Sequence, residues 1–169
     1  MQCMNHGAFE VFVAESRIDS GMIWNTRQNM LEGLRAYDPY CSSSGDMVVP
    51  LSEIPMMIKL TGEVSRKWDV QVGVFGHIAD GNIHPVAIKP KDMPLEKWGV
   101  YAEEFFADLI REAVKLGGVG SGEHGVGFLK MPALLSTKTL EEIEIHHAIK
   151  LAFDPQEILN PGKLVEAAK

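Results

Sequence analysis

The stretch Phe75–Pro85, FGHIADGNIHP, constrains this chain more than any other. Asp-Gly between apolar, β-branched flanks is the strongest short-range sign of a two-residue hairpin turn, since both central residues must take positive φ. That places Asp80 and Gly81 at the tip and pairs Ala79 with Asn82, Ile78 with Ile83, and His77 with His84. The two imidazoles then leave one face from opposed positions, with their Cβ atoms about 4.5–5.5 Å apart. Pro85 falls opposite Gly76 at a non-hydrogen-bonded position, where its missing N–H removes no ladder bond. Asp80 is assigned to the turn itself, which aspartate stabilises through its own backbone.

Two facing imidazoles matter only if the rest of the chain can frame them. With 169 residues, 46% of them hydrophobic, the chain has the length of one domain with a core of ordinary size. The formal net charge of −7 and the dispersed Lys and Arg residues argue against nucleic acid and anionic membrane as partners. Neither a membrane span nor a signal peptide is visible, so the cytoplasm is the expected compartment. Cys3 and Cys41 are too few for a disulfide framework and too far apart in sequence for a chelating pair, and both read as plain thiols.

In chain order, Ala8 to Ala14 (AFEVFVA) reads as a first strand. A helix is expected from about Ser20 to Leu34, with Ile23, Met30 and Leu34 on one face and Arg27 among them. An arginine so placed either lays its stem over apolar surface with its head in water, or binds a carboxylate. Asp38 to Asp46 reads as loop and Met47 to Val49 as a short strand, with Ser52 the expected N-cap of a helix that fades near Lys67. Val70 to Ile78 and Ile83 to Ile88 form the hairpin, apolar on both faces and therefore expected at the centre of the sheet. Leu95 to Leu116 is the clearest helix, with Trp98, Ala102, Phe105, Leu109, Ala113 and Leu116 on one stripe and Gly117 as C-cap. A glycine-rich loop, Gly117 to Gly127, and a short piece to Leu135 lead to a last helix opened by a capping box at Thr139 and Glu142.

His77 and His84 suit a borderline cation such as zinc, and a third ligand would complete an open site. Glu123 is the best candidate, because the surrounding glycines let the backbone bend closely and Glu123-His124 is the only ionisable pair in that loop. The loop also contains a literal GxGxxG from Gly120 to Gly125, but it follows a long helix rather than a strand, which argues against a dinucleotide fingerprint. His146 and His147 lie about 100° apart around a helix and read as surface or packing residues.

GHIADGNIHP, SGEHGVG from Ser121 to Gly127, WNTR from Trp24 to Arg27, and the terminal DPQEILNPGK together resemble the C-terminal domain of FAD-linked oxidases of the glycolate oxidase and D-lactate dehydrogenase type. Ala79 stands where the family pattern has glycine, and Val86 where some relatives have asparagine. The resemblance implies an α+β fold, with a ferredoxin-like antiparallel sheet, helices on one side and a C-terminal helical segment. It implies residues 1–169 as a single substrate- and metal-binding domain without the N-terminal FAD-binding domain. His77, His84 and Glu123 would be the metal ligands, His124 the catalytic base, Arg27 the substrate-carboxylate contact, and Asn160 a residue near the flavin. The function so implied is oxidation of a 2-hydroxy acid to a 2-oxo acid with FAD and a divalent metal, zinc first, with iron and manganese also suited. The partners would be the small hydroxy acid and an FAD-binding domain or subunit, and self-association through the face left exposed is expected as well. The alternatives are a non-catalytic metal-binding fragment and, ranked below it, a zinc hydrolase using His124.

Overall fold

A computed structural model describes residues 2–43, 45–128 and 130–163; residues 44, 129 and 164–169 of the segments named above lie outside the described residues. The chain forms two compact units, Met1–Pro39 and Tyr40–Lys169.

The first unit is helical: α1 (Gln2–Asn5), α2 (Arg17–Gln28) and α3 (Met30–Tyr37). The expected strand over Ala8 to Ala14 is not formed, and Phe9 and Phe12 are exposed. High β-propensity makes a strand only where a partner offers a ladder, and among the described residues this unit has no other strand. The single helix expected from Ser20 to Leu34 is divided in two. It starts earlier because Ser16 caps it, accepting from the Asp19 N–H. It breaks at Asn29, whose backbone leaves helical geometry (φ −96°, ψ 9°) while its side-chain amide donates back to the Asn25 carbonyl.

The second unit is built on an antiparallel sheet of three strands among the described residues: β1 (Met47–Val48), β2 (Gln71–His77) and β3 (Asn82–Ile88), in the order β1-β3-β2. The α+β class and antiparallel sheet are as expected. β3 is buried along nearly its whole length, whereas β2 lies at an edge rather than in a central pair. Two helices carry the core against the sheet, α4 (Ile54–Trp68) and α5 (Leu95–Lys115). The stripe Trp98, Ala102, Phe105, Leu109 and Ala113 of α5 packs with Met57 and Val64 of α4 and with Met47, Ile83 and Ala87 of the sheet. Asp108 of α5 ties the two helices together at the rim, accepting from Lys67 Nζ and Trp68 Nε1 at 2.6 Å each.

Local signals hold at several ends. Gly117 takes φ +79° after α5, and the capping box of Thr139 and Glu142 opens α7 (Leu140–Phe153), which follows the short α6 (Met131–Leu135). Ser52 is not a cap: Leu51–Glu53 form a 3-10 turn, Glu53 takes the N-cap position and Pro55 enters the first turn. Asp154 closes α7 by accepting from the Ile158 and Leu159 N–H groups, which folds the terminal motif back on the helix. Among the described residues, no helix is long and apolar enough to cross a membrane.

Candidate metal centre

The hairpin forms, but not with the expected register. His77 pairs with Asn82, Phe75 with His84 and Val74 with Pro85, two residues away from the expected alignment. The connection is a 3-10 turn over Ile78–Asp80 closed by Gly81, and of the two residues expected at the tip only Gly81 has positive φ (+75°). Gly81 is required there for a second reason, since a Cβ on it would meet the Val49 carbonyl oxygen at 2.2 Å. A slip of two residues leaves every side chain on its original face. His77 and His84 therefore still project together, as diagonal rather than opposed neighbours, with ring centroids 5.5 Å apart.

The glycine loop brings Glu123 to them. Glu123 Oε1 lies 3.0 Å from His84 Nε2 and 3.3 Å from His77 Nε2, so one carboxylate oxygen faces both hairpin imidazoles. His124 follows directly, its ring stacked on that of His84 at 4.8 Å and 14°, with Nε2 3.7 Å from the same Glu123 oxygen. The three residues expected as ligands and the expected base are thus gathered at one point. His84 is buried while His77 and Glu123 are 37% and 48% exposed, a gradient that leaves one side of the cluster open.

The loop is held by a residue whose sequence context reads as a plain connecting segment. Asp46, fully buried just before β1, accepts from the backbone N–H groups of Gly122 (3.1 Å), Glu123 (3.2 Å) and His124 (2.9 Å), from Ser121 Oγ (3.2 Å) and from Lys130 Nζ (3.3 Å). Burial alone would raise its carboxyl, but the His124 and Glu123 N–H groups and the Lys130 ammonium outweigh that and hold it well below the usual carboxylate range. Lys130 likewise carries no signal in the sequence. It lines, with His124, Gly125, Val126 and Phe128, a cavity of about 270 Å³ beside the cluster.

Among the described residues, two groups of three His, Asp or Glu side chains have ligand atoms within 4.8 Å of one another: His77, His84 and Glu123, and Asp46, His84 and His124. The first fits a cation better. Asp46 is fully buried and its Oδ2 is crowded by five donors, whereas Glu123 is half exposed and its Oε1 faces only imidazole nitrogens among the described residues. Two buried side-chain atoms among the described residues have no hydrogen-bond partner, Asn82 Oδ1 and His84 Nδ1, and the second belongs to a residue of this cluster. Two imidazoles and a carboxylate with one side open are the donor set of a catalytic rather than a structural site.

Arg27 is on α2 in the first unit, its guanidinium 5.6 Å from the centre of the Trp24 ring. No residue of α2 or α3 is buried, so the apolar face on which Arg27 was placed is not a core face. Asn160 sits in the terminal motif after α7 with φ +49°, exposed. His146 turns Nδ1 to the Glu142 carbonyl at 2.7 Å and His147 reaches Glu157 at 3.3 Å, so these neighbours serve different partners. Cys3 and Cys41 remain thiols.

Residues 1–164 match the family model of FAD linked oxidases, C-terminal domain. The chain is 36% identical over 165 residues to the glycolate oxidase subunit GlcD of Bacillus subtilis, covering 96% of this chain and 34% of that protein. It is 35% identical over 159 residues to the D-lactate dehydrogenase of Archaeoglobus fulgidus (94% and 34%). It is 34% identical over 168 residues to the D-2-hydroxyglutarate dehydrogenase of Xanthomonas citri pv. viticola (97% and 35%). The chain spans about one third of the length of the relatives it matches. By this similarity along nearly its whole length, the chain belongs to the family of FAD linked oxidases, C-terminal domain.

Proposed function

We propose that this chain is the substrate- and metal-binding part of an FAD-dependent 2-hydroxy-acid dehydrogenase or oxidase, of the D-lactate or glycolate type, with the FAD-binding part supplied by another domain or subunit. The observation that carries the reading is Glu123 Oε1 set against Nε2 of both His77 and His84, with the His124 ring stacked alongside. His77, His84 and Glu123 hold a divalent cation. His124, half exposed and not among those three, is left to take the hydroxyl proton at Nε2. Arg27 holds the substrate carboxylate, a role that rests on the Trp24 to Arg27 motif, and Asn160 contributes to the flavin side through the terminal motif. The chemistry supplied by the bound groups is polarisation of the substrate hydroxyl by the cation and acceptance of a hydride by FAD.

The decisive assay joins this chain to the FAD-binding domain of a glycolate oxidase known to be competent with its own C-terminal domain. Glycolate, D-lactate and D-2-hydroxyglutarate are offered with a dye acceptor. Turnover of at least one, lost in the His124→Ala variant, is the expected result. No turnover with all three, while zinc is still retained, would leave a metal-binding module and overturn the oxidoreductase reading.

A further inference from the structure

The rings of His84 and His124 stack nearly parallel, and the two carboxylates nearest them stand at opposite edges. Glu123 Oε1 faces both Nε2 atoms, at 3.0 and 3.7 Å. Asp46 faces both Nδ1 atoms, Oδ1 at 3.9 Å from His84 and Oδ2 at 3.9 Å from His124. The two sides differ in kind. Glu123 is half exposed on a loop tip, whereas Asp46 is fully buried and fixed by three successive backbone N–H groups of that same loop. His84 Nδ1 is itself buried without a hydrogen-bond partner, and a nitrogen lone pair left facing a buried carboxylate would be repelled by it.

From this arrangement we infer that Asp46 is the positioning residue of the centre: it sets the loop that carries Glu123 and His124, and through Oδ1, which among its described donors accepts only the Glu123 N–H it shares with Oδ2, it draws the Nδ1–H of His84 toward itself, so that the His84 Nε2 lone pair is left for a cation on the Glu123 side. Ligand imidazoles generally donate their other N–H to a carboxylate or carbonyl, and loss of such a partner costs about 10–100-fold in metal affinity. The 3.9 Å separation at His84 exceeds a direct hydrogen bond, so the contact is made by a sub-ångström approach or through one bridging water. Lys130, 3.3 Å from Asp46 Oδ2, is the one ammonium among its described partners.

The inference rests on the metal-binding part of the proposed function, and its test separates the two. Zinc affinity of the full chain is measured by chelator competition for the parent and for Asp46→Asn, and the histidine ring protons of the zinc-loaded chains are followed by 15N-resolved NMR. The expected result is a 10- to 100-fold weaker affinity for Asp46→Asn, the range set by loss of such a carboxylate partner. The parent should also show a downfield, slowly exchanging Nδ1 proton on His84 that is lost in the variant. A purely structural role for Asp46 would not move that proton. If the parent binds zinc but the affinities agree within twofold, or the Nδ1 signal is unchanged in the variant, the inference is overturned while the metal-binding reading stands. A parent chain that binds no zinc overturns both. Should Asp46→Asn fail to fold, the parent spectrum decides alone, since a rapidly exchanging His84 Nδ1 proton in the zinc-loaded chain contradicts the inference.

Discussion

The Glu123→Ala chain is expected to bind zinc on the order of 10²- to 10³-fold more weakly than the parent while keeping its fold. Apparent zinc-binding free energies of about 10–16 kcal/mol, shared over four ligands, assign about 2.5–4 kcal/mol to each, and roughly 1.4 kcal/mol is tenfold. Glu123 concentrates that contribution because its Oε1 is the atom closest to both hairpin histidines. Its removal leaves the rest of the structure in place: the side chain is half exposed, and the Glu123 backbone N–H remains bound to Asp46. His124→Ala is the informative companion. With the ion held by His77, His84 and Glu123, this variant keeps zinc affinity within a few-fold; an ion held by Asp46, His84 and His124 would give the reverse pattern. Chelator competition on the two variants, with circular dichroism as the check on folding, separates the two arrangements.

The second large effect is expected at a residue with no functional group. A Cβ on Gly122 would lie 2.7 Å from Val48 Cγ2 and 3.0 Å from both Asn82 Nδ2 and Asp46 Oδ1. None of these neighbours can give way cheaply. Val48 is β-branched in β1, Asn82 is buried in β3, and Asp46 is held by its five donors. Gly122→Ala should therefore cost about 1–3 kcal/mol of stability through overpacking. It should also weaken zinc binding, because relief of the clash lifts Glu123 away from the histidines. Gly99→Ala provides the control, since a Cβ there meets nothing within 4 Å on an exposed face of α5. That change should stabilise the chain by about 0.5–1 kcal/mol through helix propensity. Urea denaturation of the two variants should move the midpoint in opposite directions, and a Gly122→Ala midpoint equal to the parent's would show that the loop does not approach β1 and β3 as closely as described.

These outcomes depend on features that are unequally legible in the sequence. The placement of His77 and His84 on one face is legible even though the turn differs from the expected one. The Asp-Gly signal implies an even alignment, and the actual register differs by two residues, which preserves every facing relation. Glu123 can be reached because glycines on both sides mark a backbone that must come close to something. Asp46 cannot. It closes a Ser-rich stretch that reads as an ordinary turn, and its side-chain partners lie 75 to 84 residues further along the chain. No local pattern encodes contacts of that range. Ala8 to Ala14 fails for the converse reason: the pattern reports what a strand would bury, but not whether a partner strand exists. The long helix α5 is legible to within a residue because its apolar stripe is continuous along the helix and every member of it meets the core, so period and packing agree.

Central to the zinc-binding outcomes is the proposal that a cation is held by two imidazoles of the hairpin and one carboxylate of the glycine loop. X-ray absorption on the chain loaded with one equivalent of zinc tests this directly. The expected spectrum has a first shell of nitrogen and oxygen at about 2.0–2.2 Å, with two imidazole rings in the outer scattering and no sulfur. Sulfur at about 2.3 Å, the signature of a cysteine thiolate, or scattering from a single imidazole would contradict it.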